Sequence, residues 1–317
     1  MSDGAHLLIP FAACLEPGSR EAAQKLQLPQ LQRLLARLEP SATDAGDPRS
    51  LSPPHERVLA AACGLAAPDG CLPWAAWQVH QAGGAAAGQA WAWITPCHWH
   101  VATDHIVMQH PLQLRLDAAE SQALLTAMQP FFDQDGIALE YHAPTRWLAR
   151  GELFRGLAAA SLDRVMGRDI DVWVPRAAAA APLRRLQQEM QMLLYTHAVN
   201  DERMRGSLLP VNSFWASGTG VLPAGHRGAP PAGLLVPHQL RDAALLRDWT
   251  AWAAAWQQLD DLQCRQLNTD LDRGQPVALT LCGESNARSW AGRGTGWWRR
   301  LRGALDRQTL ANLFETL

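Results

Sequence analysis

"HAVNDERMRGSLLPVNSFWASGTG" spans His197–Gly220 and carries a helix, a proline-bearing loop and a strand in quick succession. Upstream, the segment from about Pro182 to His197 places Leu186, Met190, Leu193 and Leu194 on one stripe. Pro182 suits the first turn of such a helix. His197 falls on the same stripe, where a satisfied core histidine is the plainer reading and a functional imidazole the sharper one. Downstream, "NSFWASGTG" reads as a strand ending in small residues, and "GVLPAGHRGAPPAG" reads as loop.

The same alternation extends outward in both directions. "HLLIPFA" is a short apolar run stopped by a proline, which predicts a buried first strand. "LPQLQRLLARLEP" has Leu28, Leu31, Leu34, Leu35 and Leu38 at helical spacing before a proline stop. A turn-rich loop, "SATDAGDPRSLSPP", precedes a helix from about His55 to Gly64. "WAWITPCHWHVATDHIVM" and "IALEYHAPTRWLAR" alternate in the manner of strands. Between them Asp117, with Glu120 three positions on, predicts a capped helix start. A second long helix is expected over Asp242–Leu267, with Trp249, Trp252, Trp256 and Leu259 on its core face. "QPVALTLCG" predicts another buried strand, and "GWWRRLRGALDRQTLANLFETL" a basic amphipathic segment. Strands alternating with helices argue an α/β fold with a mostly parallel sheet.

Composition narrows the classes of function. The 317 residues suffice for one large α/β domain or two ordinary ones, and 48% hydrophobic content fits a globular chain. A net charge of −2 offers no global field for nucleic acid or anionic lipid. Lys25 is the only lysine among 28 basic residues, and the arginines are spread along the chain, a weak reason to invoke phosphate. The first apolar run is too short to span a membrane and lacks a basic leader, so neither a membrane role nor a signal peptide is expected. Cys14, Cys63, Cys71, Cys97, Cys264 and Cys282 form no C-x-x-C pair and read as thiols in a reducing compartment, here a bacterial cytoplasm. No P-loop, dinucleotide fingerprint or Ser-His-Asp ordering is present.

The opening stretch also carries a resemblance. Asn200, Arg203, Pro210, Asn212, Gly218 and Gly220 match the N-x-x-R, proline-x-asparagine and G-x-G pattern of archaeal-type cofactor-independent phosphoglycerate mutases. "DAAESQALLTAM" and "SLDRVMGRDID" resemble that family's segments upstream. The chain is closer still to the RpfE-type regulatory proteins of proteobacteria. The match covers about Val101 to Gly220 and is fainter at each end. The resemblance implies an alkaline-phosphatase-like core, 1–96 with 221–317, and a smaller inserted α/β domain over 97–220. In such enzymes two metal ions and a serine nucleophile sit on the core, because phosphoryl transfer needs held metals and an activated hydroxyl.

That machinery is where the sequence departs from the family. Its aspartate-glycine after the first strand is replaced by Pro10 and Phe11. Its serine position is taken by His55 or Glu56 in "PPHERVLAAACG", while Ser50 and Ser52 nearby lack the expected neighbours. Its late aspartate-histidine pair is replaced by Gly283 and Glu284, and a usual arginine before the G-x-G by Ser217. The expectation is a catalytically degenerate scaffold with a binding or regulatory role, needing no cofactor. Asn200, Arg203, Asn212, Gly218 and Gly220, with Asp163 and Arg164, then become the candidate contacts to a small anionic ligand, Arg203 reaching a concave site between core and insert. A protein partner is the other expectation, oligomeric state being open. The competing reading keeps an enzyme with relocated chemistry at His55 and Glu56.

"TPCHWHVATDHIVMQHP" raises a separate possibility, a metal site from Cys97, His98, His100, His105 and His110. On a strand His98 and His100 share one face and Cys97 the other. His105 needs a turn to join them, and one continuous strand cannot supply three or four converging ligands. Packed or surface histidines are the alternative.

Overall fold

The computed structural model describes residues 4–226, 228–293 and 310–317. Its elements run in chain order as β1 (Ala5–Ile9), α1 (Pro17–Lys25), α2 (Pro29–Leu35), β2 (Glu39–Asp44) and α3 (Pro54–Ala62). Next come α4 (Trp74–Gln81), β3 (Ala90–Cys97), β4 (Trp99–Val101), β5 (Ile106–Met108), α5 (Pro111–Leu114), α6 (Ala118–Gln134), β6 (Ala138–Ala143) and β7 (Arg146–Arg150). Then follow α7 (Leu162–Val165), α8 (Ala181–Tyr195), α9 (Ala198–Arg205), β8 (Ser213–Val221) and β9 (Leu234–Leu235). The chain closes with α10 (Gln239–Leu245), α11 (Trp249–Leu259), α12 (Arg265–Asp272), β10 (Pro276–Cys282), β11 (Ala287–Arg293) and a last helix, Leu310–Glu315. Most of the expected basic tail lies outside the described residues. Among the described residues no helix is long and apolar enough to cross a membrane.

The chain divides into two compact units, Met1–Cys63 with Pro230–Leu317, and Gly64–Ala229. An insert interrupting a unit built from both chain ends is the arrangement the resemblance implies, but its limits differ. The second unit takes in residues 64–96 and 221–229 beside the 97–220 expected from sequence. The reason is β3, which pairs with β7 and β8 and so is claimed by their sheet. The insert is therefore no smaller than the unit it interrupts.

In the first unit the sheet order is β2-β11-β10-β1-β9. β1 pairs in parallel with β10 and β9, while β11 runs antiparallel to both β10 and β2, so four strands share one direction. Leu7, Leu8 and Ile9 are buried on β1 opposite Leu279, Thr280 and Leu281, the near-continuous apolar run of a strand covered on both faces. In the second unit the order β6-β7-β3-β8 is antiparallel throughout, so the parallel pairing is confined to the first unit. Its core gathers Ile94, Met128, Phe132, Trp147, Leu186, Met190 and Phe214 from both sheet and helices. Trp147 donates its indole N–H to Ser121 Oγ at 2.9 Å, satisfying the one polar atom of a fully buried ring.

The predicted helix over Asp242–Leu267 is broken in two places. Arg247 adopts φ 56 between α10 and α11, and residues 260–264 form a π-helical turn before α12. That turn carries Asp260, whose carboxylate accepts the N–H groups of Gln30 (3.1 Å) and Leu31 (2.6 Å) at the start of α2. The extra residue of the π turn thus re-aims a side chain to satisfy orphan donors of another helix. Trp252 and Trp256 are buried as the stripe predicts, whereas Trp249 is only partly covered.

Candidate functional site

In sheets of this kind the chain ends of the parallel strands are where ligands gather. At the carboxyl end of β1 the chain turns through Phe11, a buried non-glycine residue with φ 54. Such a conformation costs about 1–3 kcal/mol and persists only when its surroundings fix it. Three hydrogen bonds do so. Trp252 Nε1 donates to Phe11 O at 2.9 Å, Trp256 Nε1 to Ala12 O at 3.2 Å, and Ala12 N to Cys282 O at 2.7 Å. The Phe11 ring stacks on His55 with centroids 5.6 Å apart.

Pro54, His55 and Glu56 open α3 after Pro53, and Arg57 continues it. Arg57 donates through Nε (2.9 Å) and a terminal nitrogen (2.6 Å) to Asp44, and also to the carbonyls of Ser52 and Ser285. This fork ties β2, the loop before α3 and the β10–β11 turn together. No sequence signal picks it out, because Asp44 and Arg57 are ordinary residues at an unremarkable spacing. At the end of β10, Glu284 accepts the N–H of Leu15 at 3.1 Å. A Cβ on Gly283 would lie 2.4 Å from the Leu317 backbone, so only glycine fits where the last described residue approaches.

These residues do not fit the two-metal centre that the resemblance implies. Two ions with about four ligands each need a dense set of carboxylates and imidazoles. At this edge Phe11 and Gly283 offer none, Asp44 is engaged by Arg57 and Glu284 by a backbone amide. His55 and Glu56 stand beside each other in the first turn of α3.

The residues expected to bind an anion are placed in the second unit and serve its framework. Arg203, expected at the mouth of a cleft, is 1% exposed. Its Nε donates to Leu209 O at 2.9 Å, one terminal nitrogen to Glu120 Oε2 at 2.5 Å, and the other to Leu114 O. Asn200 donates to the carbonyls of Leu194 (2.8 Å) and Val211 (2.6 Å) and accepts Val211 N–H at 2.9 Å. Asn212 bonds both the N–H and the C=O of Trp99, at 2.7 and 2.9 Å. All three side chains therefore spend their polar atoms on backbone or on the cap of α6. This corrects the expected cleft position of Arg203.

The G-x-G lies inside β8, not after it. Gly218 (φ 59) and Thr219 form a bulge, since Ser217 pairs with Trp93 and Gly220 with Trp91. Gly220 has φ 142, and a Cβ there would stand 2.9 Å from Cys71 O. Thr219 Oγ1 donates to Leu157 O at 2.6 Å. The motif packs a strand closely against its neighbours. Asp163 and Arg164 are buried on α7, where Ser161 caps Asp163 N–H at 3.3 Å and Arg164 lies 5.8 Å from the Trp173 ring.

The cysteine–histidine cluster is spread over different roles. Cys97 ends β3 fully buried, and burial pushes its thiol far above the ordinary range. His98 and His100 do share a face, with ring centroids 6.4 Å apart. Yet His98 Nδ1 bonds Pro210 O at 2.8 Å, His105 Nδ1 bonds Asp104 at 2.6 Å, and His110 caps α5 through Leu112 N–H. Burial lowers the His98 pKa, with the Pro210 carbonyl opposing and His100 adding to the shift. Among the described residues these five do not converge as a metal-ligating group.

A concave feature of the first unit was missed from sequence. A pocket of about 320 Å³ lies among the loop Ala13–Leu15, α1, Trp252 of α11 and the last helix. Its walls come from segments nearly three hundred residues apart, which no local pattern connects.

No protein-family model matches the chain, and no curated protein matches it in sequence. Among solved structures it is similar to the cofactor-independent phosphoglycerate mutase from Thermoplasma acidophilum DSM 1728, at 12% identity over 99% of this chain and 98% of that one, with a TM-score of 0.36. It is also similar to the PH0037 protein from Pyrococcus horikoshii, at 10% identity over 95% of this chain and 92% of that one, with a TM-score of 0.48. At these values no residue role is carried across, and the chemistry rests on this chain's own geometry.

Proposed function

We propose that this chain is a catalytically degenerate phosphoglycerate-mutase-like protein, akin to the RpfE-type regulators, that acts by binding a ligand or partner. One observation carries the reading. At the carboxyl edge of the first sheet, Phe11 and Gly283 stand where the resemblance puts metal ligands. There the nearest arginine–carboxylate pair, Arg57–Asp44, is closed on itself at 2.6 Å. A phosphoryl-transfer site needs carboxylates open to metal and a hydroxyl beside them. At this edge Asp44 is already held by Arg57 and Glu284 by the Leu15 N–H, which supports the reading.

The test is turnover by the purified full chain. With manganese, magnesium, zinc or cobalt present, interconversion of 2- and 3-phosphoglycerate and hydrolysis of p-nitrophenyl phosphate should stay at the background rate. Metal-dependent turnover abolished by His55→Ala would overturn the proposal and place relocated chemistry at His55 and Glu56.

A further inference from the structure

The pocket of the first unit has a definite chemical character. Trp252, fully buried, forms part of its wall, and that ring's only polar atom is already bonded to Phe11 O at 2.9 Å. Phe314 adds a second aromatic wall, held by stacking on Trp256 with centroids 5.5 Å apart. Ser19 lines the pocket too, but its hydroxyl donates to Cys14 O (2.8 Å) and Glu16 O (2.7 Å). Apart from the exposed Gln24, the body of the pocket is therefore largely apolar.

Two charged residues also line it. Arg20 projects from α1 and Glu315 from the last helix, and both are exposed. The neighbouring carboxylate, Glu16, is taken by Arg247 at 3.0 Å and does not compete for Arg20. Among the described residues no ion pair joins Arg20 to Glu315 or either to another side chain. An exposed cation and an exposed anion lining one largely apolar pocket complement a ligand with one charge of each sign on an apolar body. A phosphate or nucleotide would meet a single guanidinium and be opposed by Glu315. A fatty acid would leave Glu315 unanswered.

We infer that this pocket binds an apolar α-amino acid, its carboxylate on Arg20, its ammonium on Glu315 and its side chain against Trp252 and Phe314. The volume of about 320 Å³ suits a small ligand. The inference names a ligand for the binding role proposed above, and so rests on that reading.

Calorimetric titration of the full chain tests it with L-phenylalanine, L-leucine, 3-phenylpropionate and 2-phenylethylamine. One amino acid should bind with a stoichiometry of one, and each single-charge analogue should bind about tenfold more weakly or worse. Arg20→Gln should weaken the amino acid by a similar factor while leaving 2-phenylethylamine unchanged. Glu315→Gln should do the reverse with 3-phenylpropionate. Both residues are exposed, and matching melting curves will establish that the variants fold. No saturable binding of either amino acid overturns the inference, as does 3-phenylpropionate binding as tightly as L-phenylalanine. Neither result touches the turnover assay, and turnover by a chain that binds amino acids here would overturn only the degenerate-scaffold proposal.

Discussion

Arg203→Ala separates a bracing arginine from a ligand-binding one. The side chain is fully buried, and its guanidinium joins α9 to the end of α5 at Leu114 and the capped start of α6 at Glu120. Glu120 is already the reciprocal partner of Asp117, whose carboxylate accepts Glu120 N–H at 2.8 Å while Asp117 N–H donates to Glu120 Oε2 at 3.2 Å. Removing the guanidinium leaves Glu120 its cap but takes away its counter-charge, and strands the carbonyls of Leu114 and Leu209. Breaking one side of a buried ion pair costs about 3–5 kcal/mol. Glu120 keeps 22% side-chain exposure and can be partly hydrated, which offsets some of that cost, while the stranded carbonyls add to it. The expected loss is about 4 kcal/mol.

For a unit of this size a loss of that magnitude lowers the melting temperature by roughly 8–16 °C. Urea denaturation followed by tryptophan fluorescence measures it, and hydrogen exchange should locate the loss in Gly64–Ala229. Arg203→Lys should recover little, because an ammonium cannot serve three divergent acceptors. In a double-mutant cycle with Glu120→Gln the coupling should exceed about 1 kcal/mol. The reasoning is refuted if Arg203→Ala melts within a degree of the wild type and instead abolishes stabilisation by 3-phosphoglycerate.

Two further outcomes follow from the same geometry. Gly220→Ala places a Cβ 2.9 Å from Cys71 O at φ 142, so stability should fall by about 1–3 kcal/mol, and an unchanged urea midpoint would refute the close-packing role of the G-x-G. Burial raises the Asp260 carboxyl pKa against the opposing N–H bonds of Leu31 and Gln30, so the native state holds that proton more tightly than the unfolded chain. The resulting stability is present below about pH 4 and lost as pH rises through the raised value, so wild type should lose stability relative to Asp260→Asn over that interval; parallel pH profiles would count against it.

What the sequence made legible was local. The capping box at Asp117, the apolar stripe of α8 and the buried run of β1 each lie within a few residues and carry their own periodicity. The breaks in the predicted Asp242–Leu267 helix do not, because one depends on Asp260 being needed as an acceptor by α2, some 230 positions away. Sheet membership is non-local for the same reason. All eight residues of β3 are buried, and nothing in them states whether β1 or β8 is the neighbour.

The same physics explains why Arg203 was expected at a cleft and is buried instead. Arg203 attracted a ligand reading because an arginine on an eight-residue helix is ordinarily solvated, and burying its charge is costly without a partner. Its partner is Glu120, 83 residues earlier, already accounted for as half of a capping box. A residue can serve both duties because a carboxylate has more acceptor positions than one N–H can fill. The cysteine–histidine run misleads in the converse way. It is dense in sequence, but an extended backbone followed by a hairpin sends Cys97 into the core, His98 to Pro210 and His105 to Asp104. The carboxyl edge of the first unit's sheet, by contrast, is assembled from the turn after β1, the start of α3, the end of β10 and the last helix, none of which is rich in chemistry alone. Arg20 and Glu315 meet the same pocket only because Phe314 stacks on Trp256 while Trp252 holds the left-handed Phe11 turn. Where a cavity is built from the tertiary closure of distant segments, composition and spacing point to the dense motifs and pass over the sparse residues that line it.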